Sequence, residues 1–234
     1  DGDVEVHAFR AAGYLPEALM NFLALLGWSP GGGREKFTPA ELVEAFSLDR
    51  LNKANAKFDR QKLLAFNTDA AAEADQARLV EGFKDYLDLN DTPIGADDGV
   101  LLAELVRVNA GFRTFADIVA KCGVLFVADD AFDYDPKAFK KVLTRAEGVG
   151  YAMLAEMRPR LAECEWTAEA LEAMLEGVCL AKEVGMAKVA QPIRVAVAGR
   201  AVSPPIAETL LMLGKESTLA RIDRCLAMRA DRPD

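Results

Sequence analysis

Apolar residues recur every three or four positions along most of this chain, a spacing that is typical of amphipathic helices. The pattern is clear at Leu19, Phe22 and Leu26, which share one helical face. The same period marks the following later stretches: 39–46, 59–67, 79–89, 101–108, 115–119, 139–146, 151–161, 167–184, 204–213 and 217–226. No stretch shows the strict alternation of a half-buried strand. The pattern therefore predicts an all-α fold of helical bundles joined by short loops.

Several helix starts are marked by polar residues and prolines. Thr38-Pro39-Ala40-Glu41 has the form of a capping box with proline in the first helical position. Asp59 and Ser217 stand where N-cap residues are expected for two further helices. The short apolar run at 125–127 fits a brief extended segment.

Length and composition permit a large core and argue against membrane insertion. The chain has 234 residues, of which 51% are hydrophobic, and charges interrupt every apolar run before it reaches membrane-spanning length. The acidic start has no signal-peptide character, and because it lacks Met we expect a fragment or a processed chain. The four cysteines form no CxxC pair, which favours a reduced, cytoplasmic protein without a zinc site.

Charge is distributed unevenly, around a net value of −9. Residues 188–229 hold seven Lys or Arg and three Asp or Glu, a net of +4, whereas residues 1–187 carry a net of −12. An acidic body with a basic end can confine a polyanion to one face. The alternative is that the surplus arginines are merely solvated on a helical surface. Arg194 and Arg200, followed by Ser203-Pro204-Pro205, give this stretch the character of a rigid, basic surface.

The sequence offers no catalytic or metal-binding residues. The single histidine, His7, lies in a polar segment with nothing beside it to form a catalytic dyad. Carboxylates are plentiful, but they form no HExxH or EF-hand pattern. We interpret the acidic run 129–135 as a surface loop in preference to a cation site. The glycines at 31–33 lack the Gly-Lys-Ser/Thr that a phosphate loop requires. These residues predict a binding or scaffolding body.

Four stretches resemble the C-terminal half of bacterial-type glutamyl-tRNA synthetases. They are Gly2–Pro30, which is similar to the segment after the KMSKS-type loop; Phe58–Asn67, which resembles FDxxKLxWxN; Leu125-Phe126; and Gln191–Glu216, which is similar to PLRxALTGxxxxPxLFExLxxLGKE. They occur in the family's order and span nearly the whole chain.

The resemblance implies a stem-contact region at residues 1–70, a first anticodon-binding helical subdomain at 71–135 and a second at 136–234. It also implies that the full-length parent attaches glutamate to tRNA-Glu with ATP and Mg²⁺, in a catalytic domain that this chain lacks. We therefore expect no cofactor in this chain and no activity from it alone.

The resemblance further implies tRNA contacts for particular residues. Arg194 falls on a family arginine that contacts the anticodon region, and Ser203, Pro204 and Ile206 fall on positions that line the same pocket. Arginine offers a planar fork to bases or phosphates, and proline gives a fixed surface for an unstacked base. Weaker candidates are Arg200, Lys188 and Arg113 for the anticodon side, and Arg10 and Lys53 for the inner stem. For each arginine the alternative is a surface ion pair.

The chain departs from the family pattern at three places. Ala207 stands where the family often has Phe, which predicts the loss of one stacking surface. Gly111 stands where enzymes that discriminate the glutamate anticodon often have Arg, with Arg107 or Arg113 as substitutes. The Trp of FDxxKLxWxN is replaced by Phe66 or Ala65. These departures put anticodon selectivity in question and keep tRNA-Gln as a second candidate partner.

Three hypotheses follow for function. The first is the tRNA-binding part of a glutamate–tRNA ligase, monomeric and cytoplasmic, with no membrane or DNA partner. The second is a helical scaffold that binds another protein. The third is a synthetase paralogue that acts on a different tRNA.

Overall fold

The computed structural model describes residues 5–52 and 57–230, except for the side chains of residues 146, 147 and 230. These residues form α-helices joined by loops, and no strand occurs within them; a single antiparallel bridge joins Trp28 and Leu51. The predicted all-α fold is confirmed.

Contacts divide the chain into two compact units, Asp1–Ala120 and Lys121–Asp234. The three-part division expected from the resemblance stays a prediction. Its first boundary, after residue 70, falls inside the helix Arg60–Glu73, and its second falls at the N-cap of the helix Pro136–Phe139.

The first unit contains seven α-helices among its described residues, the last of which ends two residues into the second unit. They are α1 (Val6–Ala11), α2 (Pro16–Gly27), α3 (Pro39–Ala45), α4 (Arg60–Glu73), α5 (Gln76–Leu89), α6 (Gly99–Val108) and α7 (Phe115–Cys122), with a 3₁₀ turn at Leu48–Arg50. The capping box is present, because the Glu41 amide donates to Oγ1 of Thr38 (3.3 Å) and the Thr38 amide donates to Oε2 of Glu41 (2.8 Å). Asp59 caps α4 as predicted.

An aromatic cluster fills the core between α1, α2 and α4. Phe9, Leu19, Phe22, Leu63 and Phe66 are all buried there. Asn67 is fully buried beside this cluster, where its Oδ1 accepts from the Leu15 amide (2.7 Å) and its Nδ2 donates to the Arg113 carbonyl (2.5 Å). One amide side chain thus joins three segments that are distant in sequence, because a buried polar group must find partners.

The second unit contains a bundle around one buried helix. Its helices are α8 (Pro136–Phe139), α9 (Arg145–Glu163), α10 (Ala168–Ala181), α11 (Met186–Ala198), α12 (Ile206–Leu213) and α13 (Lys215–Ala230), with a 3₁₀ turn at Gly123–Phe126 and a π-helical turn at Lys140–Thr144. The α11 residues Val189, Ile193 and Val195–Ala198 are essentially inaccessible. A helix that is apolar nearly all round lies in the middle of its bundle.

Two local predictions were wrong. Ser217 does not cap the last helix, because α13 begins at Lys215 directly after Gly214, whose φ is +81° and whose carbonyl accepts from the Thr218 amide (3.1 Å). The run at 125–127 is not extended, since Gly123–Phe126 forms a 3₁₀ turn.

Candidate nucleic-acid interface

The structure brings Arg194, Ser203 and Pro204 together on the second unit. Arg194 lies on α11, whose other side chains are mostly buried, and it extends to the segment that precedes α12. Its Nε donates to Oγ of Ser203 (2.8 Å), and its Nη2 donates to the Pro204 carbonyl (3.3 Å). Nη1 makes no hydrogen bond with the described residues. Burial lowers the pKa of the Arg194 guanidinium from its ordinary value.

Thr209 completes this cluster and was not predicted. Its side chain is fully buried on α12, with Oγ1 2.9 Å from Oγ of Ser203 and donating to the Pro204 carbonyl (3.1 Å). The Ser203 hydroxyl also lies within donating distance of the Pro204 carbonyl (3.0 Å), which therefore has three side-chain partners that fix the Ser203-Pro204 step. The only signal in the sequence is a hydroxyl on a mostly apolar helix, which requires a nearby acceptor when it is buried.

The neighbouring candidates have different environments. Ile206 is 8% exposed and Ala207 is 3% exposed, and both belong to the core of the second unit. The side chain at position 207 thus packs inward, which corrects the expectation that it sits at a stacking surface. Arg200 and Lys188 are exposed at the two ends of α11.

A second pair of arginines, from α13, holds the acidic loop. Arg221 is 1% exposed; its Nε donates to Oδ1 of Asp129 (2.7 Å), and its Nη atoms donate to the carbonyls of Val124, Val127 and Val197 (2.7–2.9 Å). Arg224 donates to the carbonyls of Asp129 and Phe132 (3.1 and 3.2 Å). Both guanidinium groups lie over the Phe132 ring, at 4.7 and 4.9 Å.

The basic side chains of residues 188–229 are therefore not all available at the surface. Besides Arg194, Arg221 and Arg224, Lys215 donates to the Cys164 carbonyl (2.9 Å), and Arg229 lies over the Tyr151 ring at 5.6 Å. At least five of the seven basic side chains thus have contacts inside the unit. The interpretation of Arg194 as an exposed arginine is corrected to a half-buried one. Its carbonyl partners do not cancel its charge.

The candidates in the first unit make ion pairs instead. Arg10 forms a two-pronged pair with Asp85 on α5, and hydrogen bonding from Arg10 lowers the pKa of that carboxyl group. Arg113 pairs with Asp117 (3.1 Å). Lys53 lies outside the described residues.

Gly111 occupies a backbone conformation that disfavours the arginine expected there from the resemblance. Its φ is +86°, a region that side chains with a Cβ rarely adopt. The two arginines considered as substitutes are both paired, Arg107 with Glu104 (2.6 Å) and Arg113 with Asp117.

Among the described residues, the remaining carboxylates and the histidine are not grouped into a metal site. His7 is exposed and lies 3.2 Å from Glu5. Within residues 5–52 and 57–230, no group of three His, Cys, Asp or Glu side chains is placed to hold a metal ion. No helix in the described part of the chain is long and apolar enough to cross a membrane.

The second unit is a helical bundle that fixes an arginine, a serine and a proline in one hydrogen-bonded cluster, which is the make-up of a binding domain. Residues 78–226 match the family described as anticodon binding domain, so the chain belongs to that family. Residues 2–65 match the family described as tRNA synthetases class I (E and Q), catalytic domain. The chain thus carries a small part of that second family, in the region predicted as stem-contact.

Relatives with high similarity are bacterial glutamate–tRNA ligases, which confirms the resemblance. Glutamate–tRNA ligase 1 of Acidithiobacillus ferrooxidans is 39% identical over 230 residues, which cover 97% of this chain and 48% of that protein. The glutamate–tRNA ligase of Desulforudis audaxviator is 36% identical over 233 residues, covering 97% and 46%. The chain spans about half the length of the curated relatives it matches.

Solved structures give the same result. A crystal structure of a glutamate tRNA ligase from Elizabethkingia meningosepticum superimposes with a TM-score of 0.76 at 26% identity, covering 94% of this chain and 42% of that one. A glutamate-tRNA synthetase from Elizabethkingia anophelis gives 0.74 at 27%, again covering 94% and 42%.

Proposed function

We propose that this chain is the anticodon-binding and inner-stem-binding part of a glutamate–tRNA ligase, and that its partner is tRNA-Glu. The observation that carries the proposal is the anticodon binding family match over residues 78–226, which contains the Arg194–Ser203–Pro204 cluster. The scaffold hypothesis has no comparable support.

The cluster supports a role for Arg194 in holding the anticodon loop. A guanidinium bonded to carbonyl and hydroxyl oxygens keeps its positive charge, and its orientation is set before RNA arrives. Preorganisation of this kind reduces the entropy lost on binding. In this proposal Nη1 of Arg194 binds a phosphate or a base edge, while Ser203 and Pro204 hold the guanidinium group in place. Ile206 supports these residues from the core. Arg200 and Lys188 contact phosphates.

The binding experiment compares the chain with two variants, using a labelled tRNA-Glu transcript and anisotropy at low and rising salt. The unsubstituted chain, called the parent chain below, should bind at low salt. Its binding should weaken steeply as salt is added, because counterions are released on binding. Arg194→Ala should weaken binding by about tenfold, the loss expected for one charge-assisted contact. Arg10→Ala should weaken it less, since Arg10 already pairs with Asp85.

A second transcript that lacks the anticodon arm assigns the Arg194 contact. On this RNA, Arg194→Ala should bind like the parent chain, whereas any contribution from Arg10 should persist. No binding of the intact transcript at low salt would remove the main support for the proposal. Equal, negligible losses for both variants would overturn the site assignment.

Selectivity between tRNA-Glu and tRNA-Gln is open to a direct test, because Gly111 provides no arginine at the position the family uses. We propose tRNA-Glu as the preferred partner, to be compared with a tRNA-Gln transcript in the same assay. Tighter binding of tRNA-Gln would favour a paralogue with altered selectivity.

For the complete ligase we propose attachment of glutamate to tRNA with ATP and Mg²⁺ in the cytoplasm, where tRNA charging serves translation. The groups that hold ATP and Mg²⁺ are assigned to the class I catalytic domain, of which this chain matches a small part. We also propose that the chain is monomeric, which sedimentation velocity can check.

A further inference from the structure

A second concentration of positive charge lies at the start of the second unit, outside the basic C-terminal stretch. Lys137, Lys140, Lys141 and Arg145 fall within nine residues, and residues 136–146 contain no Asp or Glu. We name these four side chains the 137–145 patch. In a chain with a net charge of −9, this local excess of four positive charges is unusual.

The patch occupies one side of its segment. All four side chains are exposed, whereas Phe139 and Leu143 between them are 6% and 0% exposed. Lys137 lies on α8, Lys140 and Lys141 lie on the π-helical turn, and Arg145 follows directly at its end. The four cations therefore lie on the solvent side of one short segment.

None of the four cations has a carboxylate partner within the described residues. Asp135, the acidic residue that precedes the patch, caps α8, where its Oδ1 accepts from the Ala138 amide (2.7 Å). Glu147 follows the patch, and its side chain is not among the described ones. No carboxylate of the described side chains cancels the charge of the patch, unlike that of Arg10 and Arg113.

The backbone beneath the patch is held in place from both sides. The Asp135 amide donates to the Gly199 carbonyl (2.7 Å), which joins the start of the segment to the end of α11. At the other side, a Cβ on Gly150 would lie 2.0 Å from the Val142 carbonyl oxygen, so α9 packs directly on the π-helical turn. The backbone that carries the four cations is therefore held by its neighbours.

The ligand chemistry that suits this surface is a series of phosphates. Lysine acts as a point charge that tolerates variable phosphate geometry. Protein interfaces depend on buried aromatic or aliphatic anchors, and the apolar side chains within residues 137–145 face inward or are only partly exposed. Because the 137–145 patch has no such anchor, its chemistry favours an RNA backbone over an acidic protein as the partner.

We infer that the 137–145 patch is a second RNA-contact surface, which binds backbone phosphates and positions the RNA relative to the Arg194 cluster. This inference rests on the proposed tRNA-binding function and adds to it residues that the resemblance does not name. Phosphate contacts of this kind fix register and carry no sequence information.

The test uses the full chain, a labelled tRNA-Glu transcript and the double variant Lys140→Gln/Lys141→Gln. The matched control is Lys84→Gln/Lys121→Gln, which removes the same charge from two positions outside both surfaces. Circular dichroism checks that each variant keeps its helical content. The patch variant should bind about tenfold more weakly near 100 mM salt, and its slope of log K against log salt should be smaller by about two. The control should match the parent chain.

Each outcome separates the two proposals. If the parent chain binds and the patch variant matches the control in affinity and slope, the patch inference is wrong while the proposed function stands. If the parent chain does not bind the transcript, both fail. A loss of poly-glutamate binding without a loss of RNA binding would identify an acidic protein as the partner and overturn the inference.

Discussion

Two groups of arginines, one in each compact unit, have different partners. Three arginines of the first unit pair with carboxylates near the surface, as Arg10–Asp85, Arg78–Glu17 and Arg113–Asp117. In the second unit Arg194 and Arg224 bind carbonyls, a hydroxyl and aromatic rings, and Arg221 has three carbonyl partners for its one carboxylate.

This difference has an electrostatic consequence. A carboxylate cancels the charge of its arginine, whereas carbonyl oxygens and rings stabilise the cation and leave its net charge in place. The second unit can therefore use the same side chains for its internal structure and for attraction of a polyanion. The first unit gains little stability from its exposed pairs.

The largest effect is expected from replacing Arg221, which has one carboxylate and three carbonyl partners inside the second unit. Arg221→Met keeps much of the apolar stem but leaves Asp129 and three carbonyls without their donor. Asp129 is 38% exposed and can be hydrated, so the cost comes mainly from the three carbonyls. Because an unsatisfied acceptor inside a protein costs about 1–3 kcal/mol, we expect the free energy of unfolding to fall by about 3–5 kcal/mol, measured by urea denaturation.

The matched control is Arg158→Met. Arg158 lies on α9 and pairs near the surface with Asp223, which is on α13 like Arg221. Its loss should be much smaller. Equal losses would show that the interior carbonyl network has no special importance.

Gly199 tests the contact between α11 and the loop that Arg224 holds. Its φ is +68°, and a Cβ there would lie 2.3 Å from the Asp133 carbonyl oxygen. Gly199→Ala should destabilise the chain by about 2–4 kcal/mol through backbone strain and overlap together, as read from thermal unfolding.

Gly111→Ala provides the comparison in the first unit, since Gly111 also has a positive φ but nothing within 4 Å of the added Cβ. It should show the strain alone, about 1–2 kcal/mol. A cost for Gly199→Ala no larger than this would contradict the close approach.

The smallest expected effect concerns the pH response of the carboxylate pairs in the first unit. Hydrogen bonding from Arg34, and then from Thr38, lowers the pKa of Glu41 from 4.5 to about 2. A depressed carboxyl pKa stabilises the folded chain above the unfolded value, and this contribution is lost as pH falls from about 4.5 to about 2. Glu41→Gln keeps the capping box but should make this acid-induced loss shallower.

Trp28 can report the change, because it packs against Phe37 and Phe46, which flank α3, at 5.7 and 5.6 Å. In a Trp166→Phe background, acid titration should follow its fluorescence. Glu44→Gln, on the exposed side of α3, should leave the profile as it is in the parent chain. Identical profiles for all three chains would refute the assignment to Glu41.

Much of the architecture followed from local pattern. The helical period, the Thr38–Glu41 capping box and the Asp59 cap depend on neighbouring residues, and each is confirmed. Ser217 is not the cap because α13 begins after Gly214, three residues earlier, where the backbone conformation of Gly214 allows the helix to start. The association of Arg194 with Ser203 and Pro204 was expected from the resemblance, but Thr209 was not, because its role depends on a carbonyl brought near by the turn before α12.

The sequence by itself determined the all-α class, the family and the position of Arg194 beside a proline-stiffened step, because these depend on periodicity and short motifs. Only the tertiary structure decided which basic residues keep their charge available at the surface. Arg221 and Lys140 look alike in sequence, yet one is buried among carbonyls and the other is exposed without a carboxylate partner in the described part of the chain. Burial and pairing depend on which segments meet in the fold, and that information is spread over the whole chain.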